Sequence, residues 1–461
     1  MAINIKMNDK SIESVGLPKR KSSKKKKFLK ILAIVVLLLG SFILFNYFLG
    51  EKVGLQLAIT DIFMPIKANP TLKKDSSGIY TNALLIGIDT RTDNSGLQNT
   101  DTIIFVSYNH DKHEVVMISI PRDFFVEVPE QGRYTKINSI YAIGERIEEG
   151  LGLDYLTMVV EEITNKEIQY YGMVNVAGFV DMIDTVDGIE VDVENSFTDY
   201  RYPVEGAEYK HQTVSFTKGL QTMDGKTALR FVRSRMSNTA QEGSDFARAR
   251  RQQRVILALR DKVFSTETLL NPQKVLSSLS VFEKNISYSD FTNEELQAAI
   301  KIFKKDDLKT YSFVLDPSIA RFELITDKGL TLDAYAIGPK KGLSKYEEIH
   351  KFLNLVFEKP LLYSEDPDIL VYDVGIGNKL GLEKAEEFTE QHPHVYIRYM
   401  GTLLKDIEGD FLYKGGVEEN DLDEKISKYF DIEMTEKPEF MEGKITNGDY
   451  IILLGINNED S

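Results

Sequence analysis

The stretch NALLIGIDTR occupies residues 82–91, and its apolar first part ends in a polar turn. A short apolar run that is bounded in this way predicts a buried strand. Two more such runs follow, TIIFVSY at 102–108 and VVMISI at 115–120, and Pro121 stops the second of them. The first part of the folded chain therefore contains three closely spaced strands.

Helical and strand patterns alternate after these three strands. Helices are predicted at 137–149, 156–164 and 179–185, and strands at 170–174 and 189–193. Strands mixed with helices are typical of an α/β domain. We expect a layered α-β-α domain with a central mixed sheet.

Charged side chains stand at the ends of the first three strands. Asp89 and Arg91 follow the first strand, and Asp101 precedes the second. Arg122 and Asp123 follow the third. Loops at strand ends of open α/β sheets gather into one crevice where ligands bind. Aspartates there could hold Mg²⁺ and arginines could bind phosphate, although turn residues and surface ion pairs would give the same pattern.

Seven arginines occur at 219–254, in the stretch GLQTMDGKTALRFVRSRMSNTAQEGSDFARARRQQR. Asp224 is predicted to cap one helix and Asp245 the next. A helical spacing of three and four residues places several side chains of the second helix on one face; they are Arg248, Arg251, Gln252 and Val255. A solvated basic helix is the alternative, but the use of arginine instead of lysine favours binding of an oxyanion.

Composition excludes several classes of protein. The chain has 461 residues, enough for two or three domains, and no cysteine, so disulfides, thiolate metal sites and a cysteine nucleophile are excluded. Residues 1–30 hold ten Lys/Arg and two Asp/Glu, a charge of +8, and the net charge of -15 leaves -15 - 8 = -23 for the rest. An acidic folded part argues against nucleic acid as a partner.

Residues 31–50 contain no charge and read ILAIVVLLLGSFILFNYFLG. Twenty helical residues span roughly 30 Å, the thickness of the hydrocarbon core of a bilayer. We predict a transmembrane anchor here, behind a basic cytoplasmic tail at 1–30 and ahead of a connector at 51–79. Positive charge stays on the cytoplasmic side, so the bulk of the chain is predicted to be extracellular on a cell membrane. A cleaved signal peptide is the alternative.

A series of motifs in this chain resembles those of the LytR–CpsA–Psr family. They are LLIGIDTR (84–91), NTDTIIFVSYN (99–109), SIPRDFFVEVP (119–129), KINSIYAIG (136–144), GFVDMIDTVDGIEVDV (178–193), GLQTMDGKTALRFVRSR (219–235) and DFARARRQQ (245–253). The resemblance covers residues 80–335, the predicted catalytic domain. The region 336–461 is predicted to be an accessory region with a small α/β domain at 366–455.

The resemblance implies an enzyme and its substrates. It implies an Mg²⁺-dependent phosphotransferase that moves a teichoic acid, capsule or related polymer from an undecaprenyl-pyrophosphate carrier to peptidoglycan through a phosphodiester, with membrane lipid as a further partner. A module that binds polyprenyl phosphate or glycan without turnover is one alternative. A lipid pyrophosphatase, in which water replaces the glycan hydroxyl, is the other.

The resemblance also assigns residues. Asp89 and Asp101 would bind Mg²⁺ and the pyrophosphate, and Asp245 would orient arginines or act as the base. The side chains expected to contact the phosphates are Arg91, Arg122, Arg233, Arg235, Arg248 and Gln252. The side chains expected to line the site are Lys136, Asn138 and Tyr141. The apolar elements around Phe179 and Met182 would surround the prenyl chain. Catalysis is expected to depend on Asp89, Asp101, Arg122, Arg235 and Asp245.

Overall fold

The structure is a computed structural model. It describes residues 71–90, 98–204, 210–237, 239, 242–269, 281, 285–289, 292–304, 308–317, 324–330, 335–365, 367–374, 380–393, 395–403, 409–415, 421–441 and 448–455. The predicted tail, the predicted anchor and Arg91 lie outside these residues. No helix within the described ranges has both the length and the apolar character needed to cross a bilayer.

Two compact units make up the described chain. The first runs to Pro317 and includes Ile325–Lys345, and the second consists of Ser318–Leu324 and the residues from Tyr346 onward. The domain limits expected from the sequence stay predictions.

A six-stranded sheet forms the centre of the first unit. Its strands are β1 (Tyr80–Thr90), β2 (Gln98–Asn109), β3 (Glu114–Ser119), β6 (Tyr170–Asn175), β11 (Ile286–Tyr288) and β12 (Lys309–Val314). They lie in the order β11-β6-β1-β2-β3-β12. The pairs β1–β2, β2–β3 and β6–β11 are antiparallel, whereas β1–β6 and β3–β12 are parallel. The prediction of a central mixed sheet is therefore confirmed.

Smaller sheets surround the central one. Their strands are β4 (Phe125–Glu127), β5 (Tyr134–Lys136), β7 (Ile189–Val193), β8 (Phe197–Pro203), β9 (His211–Phe216), β10 (Gly219–Met223), β13 (Ile325–Thr326) and β14 (Gly338–Pro339). They form the antiparallel pairs β4–β5, β7–β10, β8–β9 and β13–β14.

Helices follow or separate these strands. They are α1 (Ile140–Ile147), α2 (Leu151–Thr164), α3 (Val176–Thr185), α4 (Gly225–Arg233), α5 (Asp245–Phe264), α6 (Thr266–Leu269) and α7 (Asn293–Phe303). A short 3-10 helix at Ile137–Ser139 precedes α1. The helix predicted at 137–149 is thus present, but its first turn is a tighter one.

Successive side chains of a strand point to opposite faces of a sheet. Apolar side chains are buried on both faces of the central sheet. On one face Ile104 and Met117 pack against Ile256 of α5. On the opposite face Leu84 and Phe105 are fully buried. Burial of these apolar side chains supplies the main driving force for folding, roughly 1.5–3 kcal/mol for each fully buried aliphatic or aromatic side chain.

A β-bulge interrupts the pairing of β1 with β2 at Asp101. Gly87 pairs with Thr102 and Ile88 pairs with Thr100, so Asp101 is the extra residue between them. A Cβ atom on Gly87 would lie 2.9 Å from the Thr102 Cβ, closer than real contacts allow. Bulges redirect side chains and are frequent beside active sites, and glycine at 87 lets the strands approach closely here.

The two helices of the arginine-rich stretch begin differently. The Asp224 side chain accepts a hydrogen bond from the Thr227 amide, so the predicted cap of α4 is confirmed. The predicted cap of α5 by Asp245 is wrong, because the Ser244 hydroxyl accepts from the Ala247 amide instead. Asp245 is the first residue of the helix proper, and its carboxylate is available for other partners.

The second unit has its own four-stranded sheet. Its strands are β15 (Asp368–Val374), β16 (Tyr396–Leu403), β17 (Phe411–Lys414) and β18 (Tyr450–Leu454), in the order β16-β15-β18-β17. Its helices are α8 (Glu347–Glu358), α9 (Pro360–Glu365), α10 (Leu380–Gln391) and α11 (Leu422–Phe430). Strand β15, helix α10 and strand β16 follow one another along the chain, and β15 pairs in parallel with β16.

Candidate functional site

A cleft opens where the end of β3 meets the start of α5. Apolar and polar side chains share its lining, and the charged and amide side chains among them are Asp101, Arg122, Asp123, Asp245, Arg248 and Gln252. We call this set the arginine cleft. Five of these residues were predicted as site residues from the sequence: Asp101, Arg122, Asp245, Arg248 and Gln252. They span 152 positions of the chain, and the structure places all five in one cleft.

Arg122 is the centre of the arginine cleft. Its Nη1 donates to both carboxylate oxygens of Asp101, at 3.3 and 3.2 Å. Its Nη2 lies 3.9 Å from Asp245 Oδ2, and its Nε lies 3.6 Å from Asp123 Oδ2. Burial by itself lowers the pKa of Arg122, but the three carboxylates outweigh it and raise the pKa above its ordinary value. Arg122 is therefore a permanent cation held between aspartates.

The first turn of α5 contributes a carboxylate and a guanidinium group to the cleft. Arg248 Nη1 lies 2.8 Å from Asp245 Oδ1, an i,i+3 pair on the helix surface. Because Arg248 is buried, the pKa of its guanidinium is lowered. Arg122 and Arg235 lower it further, and Asp245 and Asp101 oppose them. Arg235 is thus close enough to add positive charge at the cleft.

Lys136 and Asp123 extend the cleft on the side of β5. The Lys136 ammonium forms an ion pair with Asp123, whose side chain is only 10% exposed. Asn138 lies next to Arg122, since its amide donates to the Arg122 carbonyl at 3.2 Å. Tyr141 is 1% exposed in α1, and burial raises the pKa of its hydroxyl. The sequence placed Asp123 at the end of the third strand but gave it no individual role, because its burial between two cations depends on the tertiary fold.

Asp89 forms a second charged pair at the end of β1. Arg233 Nη2, at the last turn of α4, lies 3.9 Å from Asp89 Oδ2, and the Asp89 side chain is 11% exposed. Asp89 stands opposite Asn99 in the register of β1 and β2, two residues before the bulge at Asp101 on the partner strand. The two aspartates that the sequence pairs as metal ligands therefore lie on neighbouring strands.

Phe179 and Met182 lie on α3. Phe179 packs against a core cluster that includes Val191, Phe231 and Val255, and Met182 is half-buried. These residues form an apolar region beside the arginine-bearing helices α4 and α5.

Arg251 of the same stretch lies in the core and does not line the cleft. Arg251 is fully buried, with Nη1 2.6 Å from Glu242 Oε2 and Nε donating to the Phe231 carbonyl at 2.9 Å. Burial lowers the pKa of Arg251 to about 10, and Glu242 opposes this change. Its neighbours Arg250 and Arg254 pair with Asp316 and Glu194. Arg248 is buried as well, so the ion-pair partners, which the sequence did not reveal, distinguish the two: Asp245 at the cleft for Arg248 and Glu242 in the core for Arg251.

The fold and this cleft define an α/β protein whose site surrounds arginines with aspartates, an arrangement suited to phosphate. The sequence model of the LytR_cpsA_psr family matches residues 65–324, more than half of the chain. The chain belongs to the LytR–CpsA–Psr family.

Curated relatives carry one recurrent name. The chain is 30% identical over 299 residues to the polyisoprenyl-teichoic acid–peptidoglycan teichoic acid transferase TagU of Oceanobacillus iheyensis, covering 62% of this chain and 84% of the relative. It is 31% identical to the protein of the same name from Bacillus licheniformis, covering 57% and 76%. A crystal structure of TagV from B. subtilis is 26% identical with a TM-score of 0.43, covering 60% of this chain and 96% of that one.

Proposed function

We propose that this protein is a phosphotransferase that moves an anionic glycopolymer, such as a teichoic acid, from an undecaprenyl-pyrophosphate carrier to peptidoglycan. The observation that carries the proposal is Arg122, a cation that is only 16% exposed and lies within 3.9 Å of Asp101 and Asp245 in the arginine cleft. Membership of the family and the transferase name of the curated relatives support it.

The transfer replaces the phosphoanhydride bond of the donor with a phosphodiester bond to the acceptor. A sugar hydroxyl of peptidoglycan attacks the sugar-proximal phosphorus of the donor and forms a new O–P bond. The P–O bond to the bridging oxygen breaks, and undecaprenyl phosphate leaves with the electron pair. Arg122, Arg248 and Arg235 neutralise negative charge that builds on the transferred and leaving phosphates, which is the largest single source of rate in such reactions.

The hydroxyl proton needs an acceptor in the cleft. Asp245 is proposed for this role because its side chain remains 28% exposed, while that of Asp123 is only 10% exposed. A carboxylate within hydrogen-bond reach of the hydroxyl can take the proton as the O–P bond forms. Asp245 also orients Arg248, so both roles expected from the sequence belong to it in this proposal.

Mg²⁺ is proposed as the cofactor. Within the described residues no three acidic or histidine side chains come together as a metal site. Mg²⁺ does not need three, because it is often held by one or two carboxylates plus phosphate oxygens and water. Asp89 and Asp101, on neighbouring strands at the bulge, suit an ion that arrives with a pyrophosphate. The ion would supply additional charge neutralisation at the phosphates.

The site of action is proposed to be the outer face of the cell membrane. Residues 31–50 are the proposed single-pass anchor, with the basic tail inside and the rest of the chain outside. An anchor of this kind keeps the arginine cleft near a lipid-linked donor. The apolar region around Phe179 and Met182 is the proposed contact for the prenyl chain.

The test uses the full chain in lipid nanodiscs with Mg²⁺, a lipid-pyrophosphate glycan donor and peptidoglycan fragments. Phosphodiester-linked product together with released lipid monophosphate is the expected result, and both should be lost with EDTA and in Asp101→Ala. Asp192→Asn, an exposed acid on β7, is the matched control and should leave both unchanged. Lipid monophosphate without linked product would identify a pyrophosphatase. Donor binding with neither product would identify a binding module.

A further inference from the structure

Arg235 depends on something other than a helix for its position. Helix α4 ends at Arg233, and the backbone at Ser234 is already extended, with φ -62° and ψ 134°. Arg235 is therefore part of a connector between α4 and α5 rather than of a regular element. A side chain on an unsupported connector would lose conformational freedom when it binds a phosphate, and that loss weakens binding.

A buried carboxylate from the β8–β9 hairpin contacts this connector. Asp199 is 2% exposed, and its Oδ2 accepts hydrogen bonds from the amides of Arg235 and Met236, at 3.1 and 3.2 Å. Its Oδ1 accepts from the Arg201 amide at 2.9 Å. An antiparallel bridge between Asp199 and Ser237 adds backbone pairing at the same point.

The hairpin is irregular where it meets the connector. The register of β8 and β9 shifts between Asp199 and Tyr202, so the strand is locally bulged beside the carboxylate. Within the described residues, the hydrogen-bond partners of Asp199 are backbone amides. A buried carboxylate that receives several amide hydrogen bonds forms strong, charge-assisted contacts with defined geometry.

Arg251 holds the same segment from the core side. Its guanidinium donates to the carbonyls of Phe231 and Ser234 at the end of α4. It also rests on the Phe197 ring, 4.8 Å from the ring centroid, which links it to the hairpin strand that bears Asp199. The carbonyls before Arg235 and the amides at and after it are thus each bound by a buried charged side chain.

We infer that Asp199 is a positioning residue for Arg235 and that it presets this arginine for the phosphates of the donor. The inference rests on the proposed function and adds a residue, Asp199, that does not line the cleft. A preorganised cation binds developing negative charge without reorganisation, so its contribution to binding and rate is greater than that of a mobile one. Asp199 itself need not contact the substrate.

A double-mutant cycle tests the inference on the full chain in nanodiscs. The variants are Asp199→Asn, Arg235→Ala and the two combined, with Asp192→Asn as the control on neighbouring β7. Asn removes the negative charge and leaves a single acceptor oxygen for the three backbone N–H groups that Asp199 binds, with little change in volume. The readout is the Kd for geranylgeranyl pyrophosphate with Mg²⁺, measured by calorimetry.

Asp199→Asn and Arg235→Ala should each weaken binding about tenfold, the cost of one charge-assisted contact. The double variant should bind no more weakly than Arg235→Ala alone, because Asp199 acts through Arg235. Multiplied losses would overturn the inference and leave Asp199 as a structural residue. If the wild-type chain does not bind geranylgeranyl pyrophosphate, the proposed function and this inference are overturned together.

Hydrogen exchange gives a second test that does not depend on any variant folding. In the full chain without probe, the peptide containing the Arg235 and Met236 amides should exchange slowly, since both are bound to a buried carboxylate. Rapid exchange that slows only when geranylgeranyl pyrophosphate is added would show that Arg235 is ordered by the ligand. That result would overturn the inference while leaving the proposed function intact.

Discussion

Arg248 and Arg251 lie three positions apart on one helix, yet their environments differ completely. Arg248 pairs with Asp245 at the cleft, whereas Arg251 is 0% exposed and paired with Glu242 in the core. Removing one partner of a buried ion pair is costly because the other charge stays buried without compensation. Substitution of Arg251 should therefore change mainly the free energy of unfolding, whereas substitution of Arg248 should change mainly the cleft.

Arg251→Met should lower the free energy of unfolding by about 3–5 kcal/mol, since the Glu242 carboxylate and three backbone carbonyls lose their donor. Denaturant unfolding of the full chain measures this loss. The additional substitution Glu242→Gln should recover part of it. Lys262→Met removes a surface pair with Glu267, which is 62% exposed, and should cost less than about 1 kcal/mol. Equal losses in the two single variants would contradict the structural role of Arg251.

Arg122→Lys should reduce transfer by about 100-fold while leaving the free energy of unfolding nearly unchanged. Lysine keeps the charge, but it cannot address Asp101, Asp245 and a phosphate at once from a planar fork. Initial rates with the lipid-pyrophosphate donor measure the effect. Arg133→Lys, on the exposed loop after β4, is the control and should be neutral. Full activity of Arg122→Lys would show that charge alone suffices at this position.

At the scale of elements, the bulge at Asp101 links packing to the site. Gly87→Ala should destabilise the chain by about 1–3 kcal/mol, because the added Cβ meets Thr102 at 2.9 Å in a packed core. The strands must separate, which displaces Asp101, so transfer should fall as well. Gly172→Ala on β6 is the matched control, since its Cβ would meet only the Leu85 Cδ2 at 3.6 Å. Loss of stability without loss of activity in Gly87→Ala would separate the bulge from the site.

The junction of α10 and β16 contains a histidine that should make stability depend on pH. Burial and the charge of Lys359, whose Nζ lies 3.1 Å from Nδ1, together lower the pKa of His392 to about 4. The unfolded chain, with an ordinary histidine pKa of about 6.5, binds the proton more tightly. The stabilisation is therefore complete above pH 6.5 and is lost as the pH falls toward 4.

Denaturant unfolding at pH 7 and at pH 5 measures this dependence. The wild-type chain should lose more stability over this interval than His392→Gln, in which the position can no longer titrate. His211→Gln, at an exposed position of β9, should behave like the wild type. Identical pH profiles for wild type and His392→Gln would show that His392 is not the responsible group.

The elements that the sequence predicted share a strong local signal. Strand β7 matches its prediction at 189–193 because apolar and polar residues alternate without interruption. The apolar cores of β1, β2 and β3 were equally clear, but β1 and β2 extend beyond these cores, so Asp89 and Asp101 lie within the strands and not outside their ends as predicted. Asp245 was misassigned as a cap because Ser244, one residue earlier, suits the role equally well in sequence and satisfies the Ala247 amide in the structure.

What the sequence missed depends on partners that lie far along the chain. The bulge at Asp101 is a property of the register between two strands, and one strand alone does not encode it. The roles of Asp199 and Arg251 follow from burial against the connector after α4, across 36 and 17 positions respectively. Such residues carry ordinary charged side chains, and only their three-dimensional environment distinguishes them from solvated ones.

At the scale of the whole molecule, the charge distribution predicts the orientation of the chain in the membrane. The first 30 residues carry +8 and the remaining 431 carry -23, and the uncharged run at 31–50 separates the basic tip from most of the acidic remainder. Positive charge next to an apolar span stays on the cytoplasmic side of the membrane. A lipid-linked donor and a peptidoglycan acceptor require the arginine cleft to lie on the other side, so topology and proposed chemistry must agree.

The absence of cysteine allows a direct test of this agreement, because a single introduced thiol has no background. Glu436→Cys, at an exposed position of the second unit, should react with a membrane-impermeant maleimide in intact cells. Ser22→Cys in the basic tail should react only after the cells are lysed. Labelling of Glu436→Cys outside the cells, with no labelling of Ser22→Cys in the mature chain even after lysis, would indicate a cleaved signal peptide, because cleavage removes residue 22 together with the apolar run. Labelling of neither before lysis would place the cleft in the cytoplasm and remove its access to peptidoglycan, which contradicts the proposed transfer.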